Sequence, residues 1–157
     1  MELGSSVEVR AATPSDRGAL QRLLVADLVE RGEAEGRASL AVERAVEIAL
    51  SAAGAAWLLV AVSGGMPVGV LLANPAVATT SGGALLRVEA LYVAPSRRRR
   101  GVGGALVRYV AAEARNNGMG SVELELDPAA PTAQAARALL AALGASLVER
   151  QRFSLRS

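Results

Sequence analysis

The sequence predicts an α/β fold (an α+β mixed sheet) with helices laid on the sheet's faces. Three observations predict it. Stretches of alternating apolar residues interleave along the chain with stretches of helical period. The length of 157 residues suits one domain. Hydrophobic residues make up 52% of the chain and aromatics only 3%, so a sizeable core must be built from Ala, Val and Leu.

The elements follow in order. VEVRAA (Val7 to Ala12) alternates and reads as a strand. In TPSDRGALQRLLVADLVERG, Thr13 caps a helix, Pro14 occupies its first position and Asp16 completes a capping box. Its apolar stripe is Leu20, Leu23, Leu24 and Leu28, and a loop, GEAEGR, comes next. A second helix carries Val42, Val46, Ala49 and Leu50 at helical spacing. WLLVAV, the turn SGGMP and VGVLLA predict a β-hairpin, and NPAVATTSGG a loop. ALLRVEALYV (Ala84 to Val93) is a long strand. A helix from about Gly103 to Asn117 stops at Gly118. SVELEL alternates as a strand, and TAQAARALLAALG places Ala136, Leu139, Leu140 and Leu143 on one helical face. ASLVERQRFSL closes the chain as a strand or short hairpin, giving the order β-α-α-β-β-β-α-β-α-β(-β).

Composition excludes several chemistries. There is no Cys, so disulfides and thiolate catalysis are out. There is no His, which removes Ser-His triads and His metal ligands, and no metal site is expected. No apolar run approaches the ~18 residues that span a bilayer. The start MELGSSVEVR lacks a basic segment followed by an apolar one, so a cytoplasmic location is expected. All 17 basic residues are Arg, and without Arg97 to Arg100 the net charge would fall from +2 to −2. The positive excess sits in one loop, which argues against a broad nucleic-acid-binding face.

That loop, SRRRRGVGGAL, joins a strand end to a helix start. The first amides of a helix lack intrahelical partners and its dipole is positive there, so the place suits phosphate. Glycine permits close approach, and arginine forks add charge-assisted hydrogen bonds. A nucleotide P-loop requires Lys, which the chain lacks. A dinucleotide fingerprint would put glycine where Leu106 stands, and follow its strand more tightly.

EALYVAPSRRRRGVGGALV resembles the acyl-CoA-binding motif of the GNAT superfamily of N-acetyltransferases, Arg/Gln-x-x-Gly-x-Gly/Ala after a strand ending Leu-x-Val-x-Pro. The positions matched are Arg98, Gly101 and Gly103, after Leu91, Val93 and Pro95. The resemblance covers nearly the whole chain and implies one GNAT-like domain over residues 1–157. It implies that acetyl-CoA is the cosubstrate and that Arg98, Arg99, Arg100, Gly101, Val102, Gly103 and Gly104 cradle its pyrophosphate. Leu91, Tyr92 and Val93 would flank the pantetheine arm, the backbone of Leu91 and Val93 pairing with it as an added strand would.

An amine must lose a proton before it attacks, since free alkyl amines titrate near ~10. The resemblance implies Glu89 as the general base. Read alone, Glu89 could equally be a strand carboxylate paired with a neighbour such as Arg87. The Val93 N–H is the implied donor to the thioester oxygen. The family favours a late tyrosine as general acid; here Leu140 stands in its place, and Ala133 and Ala145 replace the pattern's Asn and Phe. The expected activity is transfer of an acetyl group to a primary amine of a small molecule, without nucleic acid or membrane, with a homodimer as the candidate assembly. The alternatives are a non-catalytic acyl-CoA-binding regulatory module and, ranked last, a nucleic-acid-binding protein, for which the stacking aromatics are missing.

Overall fold

The structure is a computed structural model, and it describes residues 6–51, 55–79, 83–126, 133–142 and 155. The chain groups into two compact units, Met1–Glu125 and Leu126–Ser157. The first holds strands β1 (Val7–Ala11), β2 (Trp57–Ser63), β3 (Met66–Val77), β4 (Ala84–Val93) and β5 (Ser121–Leu124). Its helices are α1 (Arg17–Glu30), α2 (Glu35–Leu50) and α3 (Val102–Asn116). In the second unit, helix α4 (Ala133–Ala142) falls within the expected TAQAARALLAALG segment. The expected final strand, ASLVERQRFSL, lies outside the described residues apart from Leu155.

The sheet runs β1-β2-β3-β4-β5, antiparallel throughout except for the parallel pair β4–β5. It is the mixed sheet the sequence predicts, and its two faces bury different helices. Leu59, Leu71, Leu86 and Val88 pack with Val102, Leu106, Val110 and Ala114 of α3. Leu58, Val60, Val70 and Tyr92 pack with Leu20 and Leu24 of α1 and Val42 and Val46 of α2. Strands apolar on both faces read as continuous hydrophobic runs, which is why WLLVAV and ALLRVEALYV show little alternation.

Three boundaries differ from expectation. Helix α1 is preceded by a 3₁₀ turn at Pro14–Asp16. The Asp16 carboxylate accepts the Thr13 N–H at 2.8 Å and both terminal nitrogens of Arg10 at 2.7 and 3.0 Å. Helix α2 begins at Glu35, inside the segment expected as loop, where a carboxylate suits the positive helix end. Strand β3 continues through Asn74–Val77, also expected as loop; β2 stops pairing at Ala73, so Pro75 sits where β3 has one neighbour and its missing N–H costs no ladder bond. Helix α1 ends in a Schellman turn: Gly32 has φ 96°, and the Glu33 and Gly32 amides donate to the carbonyls of Leu28 and Val29.

Candidate active site

Strand β4 carries the candidate site through an irregularity in its pairing. Leu72 of β3 faces Ala90 and Ala73 faces Val88, so Glu89 has no partner on β3. The extra residue is a β-bulge, and it switches the strand's faces. Before it, Leu86 and Val88 point to α3; after it, Leu91 and Val93 do, while Ala90 and Tyr92 point to α1 and α2. Glu89 is exposed at the switch.

Parallel pairing with β5 covers Leu85 to Val88 and ends there. From Glu89 to Val93 the other edge of β4 has no strand beside it among the described residues. The Ala94 N–H donates to the Val68 carbonyl at 2.9 Å, which fixes the phase of the β3–β4 ladder. Polar groups of Tyr92 then face β3, and those of Leu91 and Val93 face the open edge. The edge thus offers two outward backbone positions about 6.8 Å apart. The Val93 carbonyl is already taken by Nε of Arg98 at 3.0 Å, leaving its N–H.

Beyond the strand, Pro95–Arg97 forms a short 3₁₀ turn. The backbone then passes through the left-handed region at Arg99, with φ 62°, and again at Gly101, with φ 80°. Gly101 is the N-cap of α3, and a conformation there that favours glycine explains the first glycine of the motif. The first α3 helical bond runs from the Ala105 N–H to the Gly101 carbonyl, so the amides of Val102, Gly103 and Gly104 have no helical acceptor. Arg99 and Arg100 are exposed beside them. Open strand edge, free amides and arginines follow one another within sixteen residues of chain, Glu89 to Gly104.

Two expected residues are placed differently. Tyr92, expected beside the cosubstrate, is turned inwards: 6% exposed, it packs under α1 with its backbone directed to β3. Its hydroxyl is pushed above the ordinary tyrosine value by burial, reinforced by neighbouring Glu30. The Arg98 side chain is held within the protein: Nη1 and Nη2 donate to the two carboxylate oxygens of Glu30 at 2.8 and 2.7 Å, and its guanidinium lies 5.2 Å over the Tyr92 ring. Three of its five N–H donors are therefore engaged internally. Arg87 pairs with Glu123 at 3.6 Å and not with Glu89. Leu140 is half-buried on α4, in the second unit.

Sequence reasoning missed one pairing and one close approach. The pairing of Glu30 with Arg98 gives no signal, because the two residues are 68 positions apart. Gly69 could have been found, since glycine inside a strand often marks a close approach. A Cβ there would lie 3.0 Å from Val102 Cγ1, 3.1 Å from Leu106 Cδ1 and 3.3 Å from the Tyr92 carbonyl oxygen. The bare backbone lets the first turn of α3 settle against β3. A concavity of about 420 Å³ lies elsewhere, lined by Ala12, Leu50, Trp57, Tyr109 and Glu113 among others, and contains none of these site residues. Among the described residues, no His, Cys, Asp or Glu group is arranged to hold a metal, and no helix is long and apolar enough to cross a membrane.

The fold is shared widely. It is similar to a GCN5-related N-acetyltransferase from Ralstonia eutropha, at 22% identity and TM-score 0.77, covering 96% of this chain and 99% of that one. It is similar to the aminoglycoside N-acetyltransferase AAC(6')-Iy in complex with CoA, at 21% identity and TM-score 0.77, covering 99% and 98% of the two chains. A ribosomal-protein-alanine N-acetyltransferase from Brucella melitensis matches at 19% identity and TM-score 0.75, over 97% and 99%. No curated protein matches the sequence. The model of the Acetyltransferase (GNAT) family matches residues 19–145, which include the open edge of β4, the arginine-glycine loop and α3. With most of its length and its candidate site inside that match, the chain belongs to the GNAT family of acetyltransferases.

Proposed function

We propose that the protein transfers an acetyl group from acetyl-CoA to a primary amine of a small molecule by direct attack in a ternary complex, using residues 1–157 as one catalytic domain. The observation that carries this reading is the open edge of β4 running into the free amides of α3. An extended amide chain can add to the edge at Leu91 and Val93. A pyrophosphate can accept from the amides of Val102 to Gly104 near the charges of Arg99 and Arg100. Supporting the choice of reaction, solved neighbours include AAC(6')-Iy with CoA and with a CoA-acetylneamine bisubstrate analogue.

In this reading the ammonium of the acceptor gives a proton to Glu89, directly or through water. The neutral nitrogen attacks the thioester carbon while the Val93 N–H donates to the carbonyl oxygen as it gains charge. The nitrogen–carbon bond forms and the carbon–sulfur bond breaks; the nitrogen, now cationic, gives its second proton to water, and the thiolate takes a proton from water, so that the one net proton released is the one held by Glu89. The hydrogen bond from Arg98 Nε to the Val93 carbonyl engages one of its two lone pairs and so weakens the negative potential that would oppose the developing oxyanion. A second reading, a non-catalytic acyl-CoA-binding module, is favoured by Leu140, which leaves the family's tyrosine position without a hydroxyl.

Acetyl-CoA at a hundred times its dissociation constant should stabilise the fold by ~2.7 kcal/mol. Gly103→Asp should abolish this by setting a carboxylate against the pyrophosphate. Because an acidic residue in the first turn of a helix favours folding, the loss would not come from a damaged α3. Thermal melts with and without ligand measure it, and an unchanged shift in the folded variant would remove the site assignment. Thiol release across a panel of amines then separates transferase from binding module.

A further inference from the structure

We propose that Glu30 is a positioning residue for the cosubstrate side of the site, acting through Arg98. The inference rests on the acetyl-CoA reading above. Glu30 is the last residue of α1, and Arg98 belongs to the loop after β4. Their fork is bidentate, at 2.7 and 2.8 Å, with both side chains about one-third exposed or less. The same guanidinium donates from Nε to the Val93 carbonyl at 3.0 Å and covers the face of the buried Tyr92 ring. One arginine therefore joins three things: the end of a helix, the end of the central strand and the start of the arginine-glycine loop.

Geometry gives each contact a separate consequence. The Glu30 fork fixes the plane of the guanidinium, and that plane decides whether Nε can reach Val93. With one lone pair of the Val93 carbonyl engaged, the N–H is the outward polar group at that position with no partner within the protein among the hydrogen bonds described. The fork also neutralises Arg98, so the exposed charge near the α3 amides comes from Arg99 and Arg100. Glu30 is held below the usual carboxylate range mainly by the Arg98 hydrogen bonds, so the fork stays charged through neutral pH.

Three measurements test the assignment. Acetyl-CoA affinity is read by calorimetry without an acceptor, KM and kcat are read separately, and trypsin cleavage at Arg97 to Arg100 is followed by mass spectrometry without any ligand. Glu30→Ala should weaken acetyl-CoA binding about tenfold, as expected for loss of hydrogen bonds to a charged group. It should also raise the first-cleavage rate in the loop about tenfold. Arg98→Ala should match the binding loss, and the double variant should be no worse than either single one, since the two residues act as a unit. Glu30→Asp, which keeps the charge on a shorter arm, should recover part of the affinity. Asp16→Asn, which breaks the bidentate fork to Arg10 before α1, should lower Tm without changing acetyl-CoA affinity or loop cleavage.

If Glu30→Ala lowers Tm but leaves acetyl-CoA affinity and loop cleavage at wild-type values, the fork is a structural brace only and the proposal is wrong. Additive losses in the double variant would also overturn it. If wild type itself fails to bind acetyl-CoA, the functional reading fails and the positioning role falls with it; binding by wild type with unchanged variants sinks the positioning role alone.

Discussion

The two halves of β4 differ in what surrounds them. From Ala84 to Val88 the strand has β3 on one side and β5 on the other, and Leu85, Leu86 and Val88 are at most 6% exposed. From Glu89 to Val93 it has, among the described residues, no strand on the side away from β3, together with an exposed carboxylate and half-buried Leu91 and Val93. One bulge separates a half that holds the sheet together from a half with unpaired backbone and a charge. A fold can thus keep an open edge at its centre without weakening the strand that carries it, because closed pairing and open pairing occupy different residues.

Breaking the open half should cost turnover and not stability. On the mechanism proposed above, Glu89→Gln keeps the shape and removes the general base, so kcat should fall ~10²–10⁴-fold, with partial recovery at high pH, where the amine deprotonates unaided. Melting temperature and acetyl-CoA affinity should stay near wild type; an unchanged kcat from pH 6 to 9 would leave Glu89 no chemical role.

Breaking the closed half should do the reverse. Leu86 is fully buried between β4 and α3, and Leu86→Ala should cost about 2–5 kcal/mol in denaturant unfolding. The folded fraction should keep its kcat, and a proportionate drop would show that the bulge does not insulate the two halves.

A reference away from β4 sharpens the contrast. Asp16 is held down to about 2 by its hydrogen bonds to Arg10, aided by the Thr13 N–H, against burial that pushes it up. Its folded value lies below the ordinary 3.8, so its contribution is whole above pH 4 and lost as pH falls through 2. Wild type should lose about 2 kcal/mol more stability than Asp16→Asn between pH 5 and 2. Parallel acid curves for the two proteins would remove the pair from the stability account.

Much of this was legible in the sequence, and the gaps have physical causes. Period and turn chemistry gave the helices and strands through TAQAARALLAALG, because capping residues such as Thr13 and stop glycines such as Gly118 act locally. Side-chain parity along β4 was not legible. Alternation counts every residue, and the bulge at Glu89 inserts one that the partner strand does not match. The inward turn of Tyr92 follows from that same slip. The division of labour among the four arginines was equally hidden: motif spacing singles out Arg98, but its inward pairing depends on a carboxylate 68 positions earlier, which nothing in SRRRRGVGG reveals.

Arg99 carries a cost of its own. A left-handed backbone at an L residue is disfavoured by about 1–2 kcal/mol, and its φ of 62° lies in that region. Glycine or asparagine would relieve it. Variants selected by heat alone would therefore drift away from arginine at this position. On the reading proposed above, each such gain in heat resistance would discard a cation from the phosphate cradle. Selection for robustness and selection for cosubstrate capture oppose each other at one residue, and a screen that scores only survival at high temperature would return tough proteins with a poorer grip on acetyl-CoA.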